Sequence, residues 1–377
     1  MKYFKILLAL CLFHCGVIQA ENISLHDKIG QLLIIGFEGK EINHESPVVQ
    51  AIERSNIGGV ILFDYNYRTQ TFDKNIANPE QVKKLNKDLQ NSTRAANQKH
   101  KRPHLPLIIS VDYEGGSVNR LSSDYGFPKI PAAADVGQLT AEAANDVAAT
   151  MSATLQEANF NLDFAPDVDV NVNPDNPIIG LLGRSFSANP ILVGLYGGIY
   201  SQNFLQNSIQ CAYKHFPGHG SSNSDSHLGF VDVTDSWQDY ELDPYRLLLN
   251  SEQACGMLMT AHIVNRNLDA SGLPATLSHR VLTDILRGDL QFKGVIITDD
   301  MQMKAISEHY GLESAVTLAL NAGADMLLFG NQLSDTPQDP EEIIELIAAK
   351  VKSGEIAESR INDAYEHVLT FKKSMVQ

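Results

Sequence analysis

Two short segments of this 377-residue chain carry acidic and imidazole side chains at spacings that suit proton transfer and nucleophilic attack. In the first, an apolar run ends in Lys214 and His215, and Asp225 and His227 follow in a loop of glycine, serine and asparagine. Histidine titrates near neutral pH and a nearby carboxylate can fix its tautomer, so this pair could donate and accept a proton. In the second, Asp299 follows an apolar run, where an ionised carboxylate could act as a nucleophile.

The first segment has two other interpretations, which we keep beside the acid–base one. Polar side chains often mark a strand-to-loop junction simply because connecting segments lie at the surface. A metal ion is a second possibility, although a Pro-Gly pair interrupts the helical spacing that zinc-binding histidines usually have. The ligands of that ion would be His215, His219, Asp225 and His227.

The other candidate residues also have purely structural interpretations. Asp299 is followed by Asp300, and one of the two could cap a helix, which would leave the other as a solvated charge or free for chemistry. Asp112 and Arg120 flank a pair of glycines that permits close backbone approach or forms only a turn. Arg184 ends a long polar loop and could bind a substrate or pair with a surface acid.

The elements that would position these side chains are eight short apolar runs separated by amphipathic segments. Several runs are continuous rather than alternating, which is typical of strands covered on both faces. Eight strands alternating with helices predict an α/β fold, a single-domain (β/α)8 barrel of the TIM type, with a doubly wound open sheet as the alternative. The runs are Leu32–Phe37, Gly59–Phe63, Leu107–Val111, Leu162–Ala165, Cys211–Phe216, Met257–Ile263, Val295–Thr298 and Met326–Phe329.

Polar residues follow these runs repeatedly, and this placement favours the barrel over the open sheet. In a barrel the carboxyl ends of all strands converge on one face, where active sites lie, whereas in an open sheet they spread along an edge. The residues in question are Asp112 after the third run, Asp167 after the fourth, Lys214 and His215 ending the fifth, His262 near the end of the sixth, and Asp299 and Asp300 after the seventh.

The net charge and the N-terminal residues limit the possible binding partners and the cellular compartment of the protein. The net charge of −16 argues against nucleic acid or an anionic membrane as the main partner. Residues 1–20 have two lysines, an apolar run and a small-residue end, so we expect a signal peptide that is removed to leave residues 21–377, without a transmembrane segment, in the periplasm or medium. Cys211 and Cys255 would then remain, as two buried thiols or as one disulfide if their strands are neighbours.

Four segments together resemble glycoside hydrolase family 3, in its β-N-acetylglucosaminidase branch. Lys-His-Phe-Pro-Gly-His-Gly, a short loop and Asp-Ser-His form a highly specific signature of that branch. Asp-x-Glu-Gly-Gly, Gly-Arg-Ser-Phe and Thr-Asp-Asp-Met occur in the family's order, and the resemblance extends from about Ile29 to Phe329. It implies a (β/α)8 barrel that hydrolyses β-linked N-acetylglucosamine.

The resemblance also implies a role for each matching residue. Asp299 falls on the family's nucleophile, and His227, paired with Asp225, falls on its acid/base. The chemistry implied in this way requires no metal and no cofactor. The sugar-binding positions of the family match Asp112, Arg120, Arg184, Lys214 and His215.

The expected activity is retaining hydrolysis of terminal β-N-acetylglucosamine in peptidoglycan fragments (muropeptides) or chitin oligosaccharides, through a covalent glycosyl-aspartate intermediate. Imidazole can take the place of the usual second carboxyl group, because its unperturbed pKa of about 6.5 allows it to donate and accept a proton near neutral pH. The alternatives are a family 3 β-glucosidase-type enzyme, a metal-dependent barrel hydrolase and a glycan-binding protein without activity.

Overall fold

The computed structural model describes residues 23–333 and 337–375. The predicted signal peptide over residues 1–20 therefore lies outside the described part of the chain, and its removal stays a prediction. Among the described residues, none of the helices combines the length and the apolar character that a bilayer crossing requires.

Eight parallel strands close into a barrel in which each strand pairs with its neighbour along the chain, and the last pairs with the first. Each of the eight predicted apolar runs supplies one of these strands, so the barrel prediction is confirmed and the open sheet is wrong. The described residues contain ten strands, of which all but β4 and β5 belong to the barrel. In chain order they are β1 (Leu33–Gly36), β2 (Gly59–Ile61), β3 (Ile108–Val111), β4 (Tyr113–Gly115), β5 (Val118–Asn119), β6 (Leu162–Asp163), β7 (Gln210–Phe216), β8 (Met257–Thr260), β9 (Val295–Asp300) and β10 (Met326–Phe329).

Helices cover the outside of the barrel, and their starts follow the capping signals in the sequence. The Asn78 side chain accepts a hydrogen bond from the Gln81 backbone amide at 2.9 Å, and Pro79 is the first helical residue, as predicted. The helices are α1 (Leu25–Gln31), α2 (Pro47–Gln50), α3 (Pro79–His100), α4 (Ala133–Val136), α5 (Ala141–Glu157), α6 (Pro190–Gln206), α7 (Asp243–Leu248), α8 (Lys304–Ser307), α9 (Gly311–Ala322), α10 (Pro340–Ser353) and α11 (Glu358–Ser374). Two π-helices span Ala51–Ser55 and Arg280–Asp289, and short 3₁₀ helices span Ser123–Tyr125, Asp239–Leu242 and Ala275–Leu277.

Strands β4 and β5 form a small antiparallel hairpin that the sequence analysis did not predict. Its turn contains Gly115 and Gly116, whose φ angles of 88° and 57° lie in the left-handed region that favours glycine. The glycine pair therefore forms a turn and also permits close approach, since a Cβ on Gly115 would lie 2.3 Å from the Pro131 carbonyl oxygen. The hairpin follows β3 directly, so it continues from the carboxyl end of that barrel strand.

The two cysteines of the described part form a disulfide. Cys211 lies in β7 and Cys255 precedes β8, and these strands are neighbours in the barrel with Cα atoms of the two cysteines 4.9 Å apart. Both residues are buried. Of the two possibilities that the sequence left open, the structure has the disulfide.

Candidate active site

A network of buried charges occupies the mouth of the barrel at the carboxyl ends of β3, β6 and β7. Lys214 donates hydrogen bonds to Asp112 Oδ1 at 2.8 Å and to Glu114 Oε1 at 2.7 Å. Arg184 binds both carboxylate oxygens of Glu114, through Nε at 2.8 Å and Nη2 at 2.7 Å. Three of the predicted sugar-binding residues thus come together around Glu114, and Arg184 is a buried ion-pair partner rather than a surface one.

The charges of this network hold each other ionised. Burial alone would raise the pKa of Glu114, but Arg184 and Lys214 lower it well below its usual value. Burial alone would lower the pKa of Lys214, but Asp112 and Glu114 raise it. Fixed ionised groups in a water-poor mouth can orient the hydroxyl groups of a substrate without first reorganising.

His215 is fixed by two contacts on opposite sides of its ring. Its Nδ1 lies 2.7 Å from Asp169 Oδ2, and its Nε2 lies 3.3 Å from Arg184 Nη2. Because Arg184 can only donate, these contacts assign the proton to Nδ1 and an acceptor role to Nε2. The predicted binding residue His215 therefore lies in the mouth, and Asp169 sets its orientation.

Asp299 and Asp300 are the last two residues of β9, and neither caps a helix, since α8 starts only at Lys304. Burial alone would raise the pKa of Asp299, but His262, His215 and His227 lower it, so this partly exposed carboxylate is ionised at neutral pH. The predicted nucleophile Asp299 therefore lies as a carboxylate at the carboxyl end of a barrel strand.

Asp300 has a different environment from its neighbour. It is buried, and burial raises its pKa to about 6. Its Oδ1 accepts a hydrogen bond from the Gln302 backbone amide at 3.0 Å, and its Oδ2 lies against Gly330. Asp300 therefore braces the backbone after β9 rather than facing the mouth.

Asp225 and His227 form the predicted pair in the loop after β7. Asp225 Oδ1 lies 2.8 Å from His227 Nδ1 and also accepts the His227 backbone amide at 2.8 Å. Burial alone would lower the pKa of His227, but the hydrogen bond to Asp225 and the charge of Asp299 raise it. With Nδ1 committed to Asp225, Nε2 is the atom that can exchange a proton with a substrate.

Arg120 lies at the rim of the mouth. Its Nη1 is 4.0 Å from Asp64 Oδ1, and its guanidinium lies over the Phe63 ring at 5.8 Å from the ring centre. Asp64 is buried and follows β2, so it extends the charged lining to a further strand of the barrel. The structure brings Arg120 to this face but does not join it directly to Lys214.

The ligands of the alternative metal site do not converge. His227 Nδ1 is engaged with Asp225, and the two ring nitrogens of His219 face serine hydroxyls. Among the described residues of the mouth, three do offer ligand atoms close enough to share one ion, namely Asp167, Asp169 and His215. That group shares only His215 with the set that the sequence suggested.

Sequence reasoning missed Glu114, Asp169 and Asp64 as members of the site. Glu114 stands in the Asp-x-Glu-Gly-Gly motif, and Asp169 lies two residues after Asp167, at a spacing that returns a side chain to the same side of an extended chain. The motif was therefore the available signal for Glu114, and the two-residue spacing from Asp167 was the signal that could have identified Asp169. Asp64 follows directly on the second apolar run, as the predicted site residues follow theirs.

Replacing Glu114 with alanine should lower the free energy of unfolding by about 3–5 kcal/mol, because Lys214 and Arg184 would keep buried charges without their partner. Urea unfolding followed by circular dichroism measures this change. Glu308→Ala is the matched control, since its pair with Lys304 at 3.6 Å is exposed and should contribute less than about 0.5 kcal/mol. Equal, small losses for both variants would contradict the role given to Glu114.

The barrel and its charged mouth place the protein among the (β/α)8 barrels whose site lies at the carboxyl ends of the strands. Comparison with known families is more specific. The model of the glycosyl hydrolase family 3 N-terminal domain matches residues 24–371, and the chain therefore belongs to glycoside hydrolase family 3.

Individual relatives agree with this assignment. The chain is 33% identical to beta-hexosaminidase A of Pseudoalteromonas piscicida over 301 residues, which are 74% of this chain and 46% of that protein. It is 34% identical to the beta-hexosaminidase LpqI of Mycobacterium tuberculosis over 277 residues, 71% of this chain and 68% of that protein. Among solved structures, a family 3 beta-N-acetylglucosaminidase from Paenibacillus superposes with a TM-score of 0.82 at 32% identity, covering 94% of this chain and 63% of that one.

The chain spans about half the length of the first of these relatives and somewhat under two thirds of the Paenibacillus structure. The resemblance expected from the sequence motifs is confirmed at the level of the family and its β-hexosaminidase branch.

Proposed function

We propose that this protein is a retaining β-N-acetylglucosaminidase that works through a covalent glycosyl-aspartate intermediate. The observation that carries the proposal is that an ionised, partly exposed Asp299 and the Asp225–His227 dyad lie at the same end of the barrel. The charge of Asp299 raises the pKa of His227, and the charge of His227 lowers the pKa of Asp299. A retaining glycosidase needs these two functions, a nucleophile and a group that donates and then accepts a proton. The relatives of this chain that are named beta-hexosaminidase support N-acetylglucosamine as the sugar.

In the first step, a carboxylate oxygen of Asp299 attacks the anomeric carbon of the bound sugar. The bond to the leaving oxygen breaks, and the imidazolium of His227 gives that oxygen its Nε2 proton. The contact of Nδ1 with Asp225 raises the pKa of His227, so the ring carries this proton over a wider pH range.

In the second step, the now neutral His227 takes a proton from a water molecule while the oxygen of that water attacks the anomeric carbon. The bond between the sugar and Asp299 breaks, which restores the carboxylate and the imidazolium. Two displacements at the same carbon leave the product with the configuration of the substrate. A neutral imidazole base repels the departing carboxylate of Asp299 less than a carboxylate base would.

The charged network binds the sugar in this proposal. Asp112 follows β3 and offers an acceptor, and Lys214 lies in β7 and offers a donor, with β6 between these two strands. Arg184, which pairs with Glu114, and His215 add two more polar groups to this set. Such groups recognise hydroxyl groups at particular positions of the sugar. A sugar that lacks one of these hydroxyl groups leaves a buried polar group of the protein without a hydrogen-bond partner and is therefore disfavoured. Muropeptides or chitin oligosaccharides would supply the terminal N-acetylglucosamine.

A chromogenic assay tests this proposal against its alternatives. We expect hydrolysis of 4-nitrophenyl N-acetyl-β-glucosaminide, little hydrolysis of the matching β-glucoside, and no effect of a chelator. A preference for the glucoside would indicate the β-glucosidase type, and loss of activity with chelator would indicate the metal-dependent hydrolase. Binding of N-acetylglucosamine without turnover would indicate a glycan-binding protein.

We also propose that the protein is exported to the periplasm or medium. The lysines and apolar run in residues 1–20 support export, and so does the Cys211–Cys255 disulfide, because disulfides persist mainly in oxidising compartments. N-terminal sequencing of the mature protein should begin at Glu21. Protein found in the cytosol with residues 1–20 still attached would show that export is wrong.

A further inference from the structure

His219 is a buried histidine to which neither the family resemblance nor the proposed chemistry gives a role. It lies between β7 and the Asp225–His227 loop, and both of its ring nitrogens contact serine hydroxyls of that loop. Nδ1 lies 2.9 Å from Ser222 Oγ, and Nε2 lies 3.2 Å from Ser226 Oγ.

The backbone of His219 is fixed on its other side. Its amide donates to Asp169 Oδ1 at 2.7 Å, and its carbonyl accepts from Asn176 Nδ2 at 2.8 Å. Asp169 is the residue that also orients His215. His219 therefore connects the sugar-binding part of the mouth to the loop that carries the proton donor.

We propose that His219 is a positioning residue that holds the loop so that His227 lies over the scissile bond. This inference rests on the function proposed above. Ser226 lies between Asp225 and His227 in the chain, and it is buried at 1% exposure while its two neighbours reach solvent. Fixing this one serine therefore fixes the origin of both dyad side chains.

The composition of the loop explains why such an anchor is required. Glycine, serine and asparagine predominate between His219 and His227, and ordering such a chain costs about 1–2 kcal/mol of backbone entropy per residue. A proton donor must be held near its productive position, because a misplacement of about 1 Å can cost about 10²-fold in rate. Among the described residues, the backbone of Ser226 has one hydrogen bond, a weak one in which its carbonyl accepts from the Ala305 amide at 3.3 Å.

A neutral imidazole suits this task. It offers one N–H donor and one acceptor on opposite sides of a rigid ring, and a serine hydroxyl can match either. Burial lowers the pKa of His219 to about 4, so the ring stays neutral when His227 is protonated. With both nitrogens buried and engaged, His219 is unsuited to donate the proton itself.

The kinetic test compares single-turnover glycosylation of N,N′-diacetylchitobiose, whose leaving group needs a proton, with that of the 4-nitrophenyl glycoside, whose leaving group does not. His219→Ala should lower the rate of glycosylation by the disaccharide about 10- to 100-fold and the rate with the nitrophenyl substrate much less. Ser226→Ala, which removes one of the two contacts, should show the same split to a smaller degree. Ser224→Ala is the matched control, because this exposed serine of the same loop makes no side-chain hydrogen bond with the described residues.

A second measurement does not depend on activity. In hydrogen–deuterium exchange, the peptide covering residues 219–230 should exchange about five- to tenfold faster in His219→Ala than in the wild type or Ser224→Ala. A peptide from β8 should be unchanged in all three proteins, which shows that the barrel is intact. Unchanged exchange in the loop, or equal slowing of both substrates, would overturn the positioning role.

The two measurements separate this inference from the proposed function. A wild-type protein that does not cleave N-acetylglucosaminides would remove the proposed function, while the exchange result would still decide whether His219 anchors the loop. A normal wild-type activity with no leaving-group split in His219→Ala would leave the function standing and remove the inference.

Discussion

Replacing Asp299 with alanine should reduce hydrolysis of 4-nitrophenyl N-acetyl-β-glucosaminide by on the order of 10⁴-fold or more, because the covalent route loses its nucleophile. The reason lies in the contrast at the end of β9, where Asp299 is partly exposed and ionised and Asp300 is buried against Gly330. The measurement is kcat/KM for the variant, in protein free of wild-type contamination.

A slow fluorinated N-acetylglucosaminide provides the direct check. It should label the wild type, and peptide mass mapping should place the sugar on Asp299. Asp300→Asn is the control, since Asp300 mainly accepts the Gln302 amide and its loss should affect stability more than labelling. A label on Asp300, or a product of inverted anomeric configuration, would disprove the assignment.

Replacing His227 with alanine should slow glycosylation by a natural disaccharide by about 10²–10⁴-fold, the usual contribution of general acid catalysis. A nitrophenyl leaving group departs without a proton, so the same variant should lose much less on that substrate. Single-turnover glycosylation on both substrates measures the difference. Equal losses on the two would show that His227 binds the sugar and that the proton comes from another group.

Asp225→Ala should follow the same pattern more weakly, because the ring remains but loses its partner at Nδ1. The pH dependence gives a second signature. The hydrogen bond from Asp225 raises the pKa of His227, so its removal lowers that pKa and the proton donor is lost at a lower pH. The basic limb of kcat/KM for the disaccharide should therefore move to lower pH, and a shift to higher pH would contradict the dyad.

The sequence by itself determined the architecture. Continuous apolar runs of four to eight residues are the direct signature of strands covered on both faces, and eight of them separated by helix signals leave few folds open. It also indicated Asp299, Asp225 and His227, the residues that we propose for the chemistry, because each stands in a local motif. Local patterns of this kind depend on neighbours along the chain, which a sequence displays in full.

The tertiary structure decided what depends on neighbours from distant strands. The sequence offered Asp299 and Asp300 as a pair. Only the folded structure distinguishes them, because burial raises the pKa of Asp300, whereas three nearby histidines lower the pKa of Asp299. The sequence also offered Cys211 and Cys255 as thiols or a bridge, and the adjacency of β7 and β8 gave the bridge.

The same limit explains the residues that the sequence analysis left out. Glu114 holds Lys214 across 100 positions of sequence, and Asp169 holds His215 across 46, so their partners are brought together only when the barrel closes. His219 stood in the recognised motif as a possible metal ligand, and its contacts with two loop serines changed that interpretation. Motifs state which groups can react, whereas burial and contacts between strands decide which group is charged and which one holds another in place.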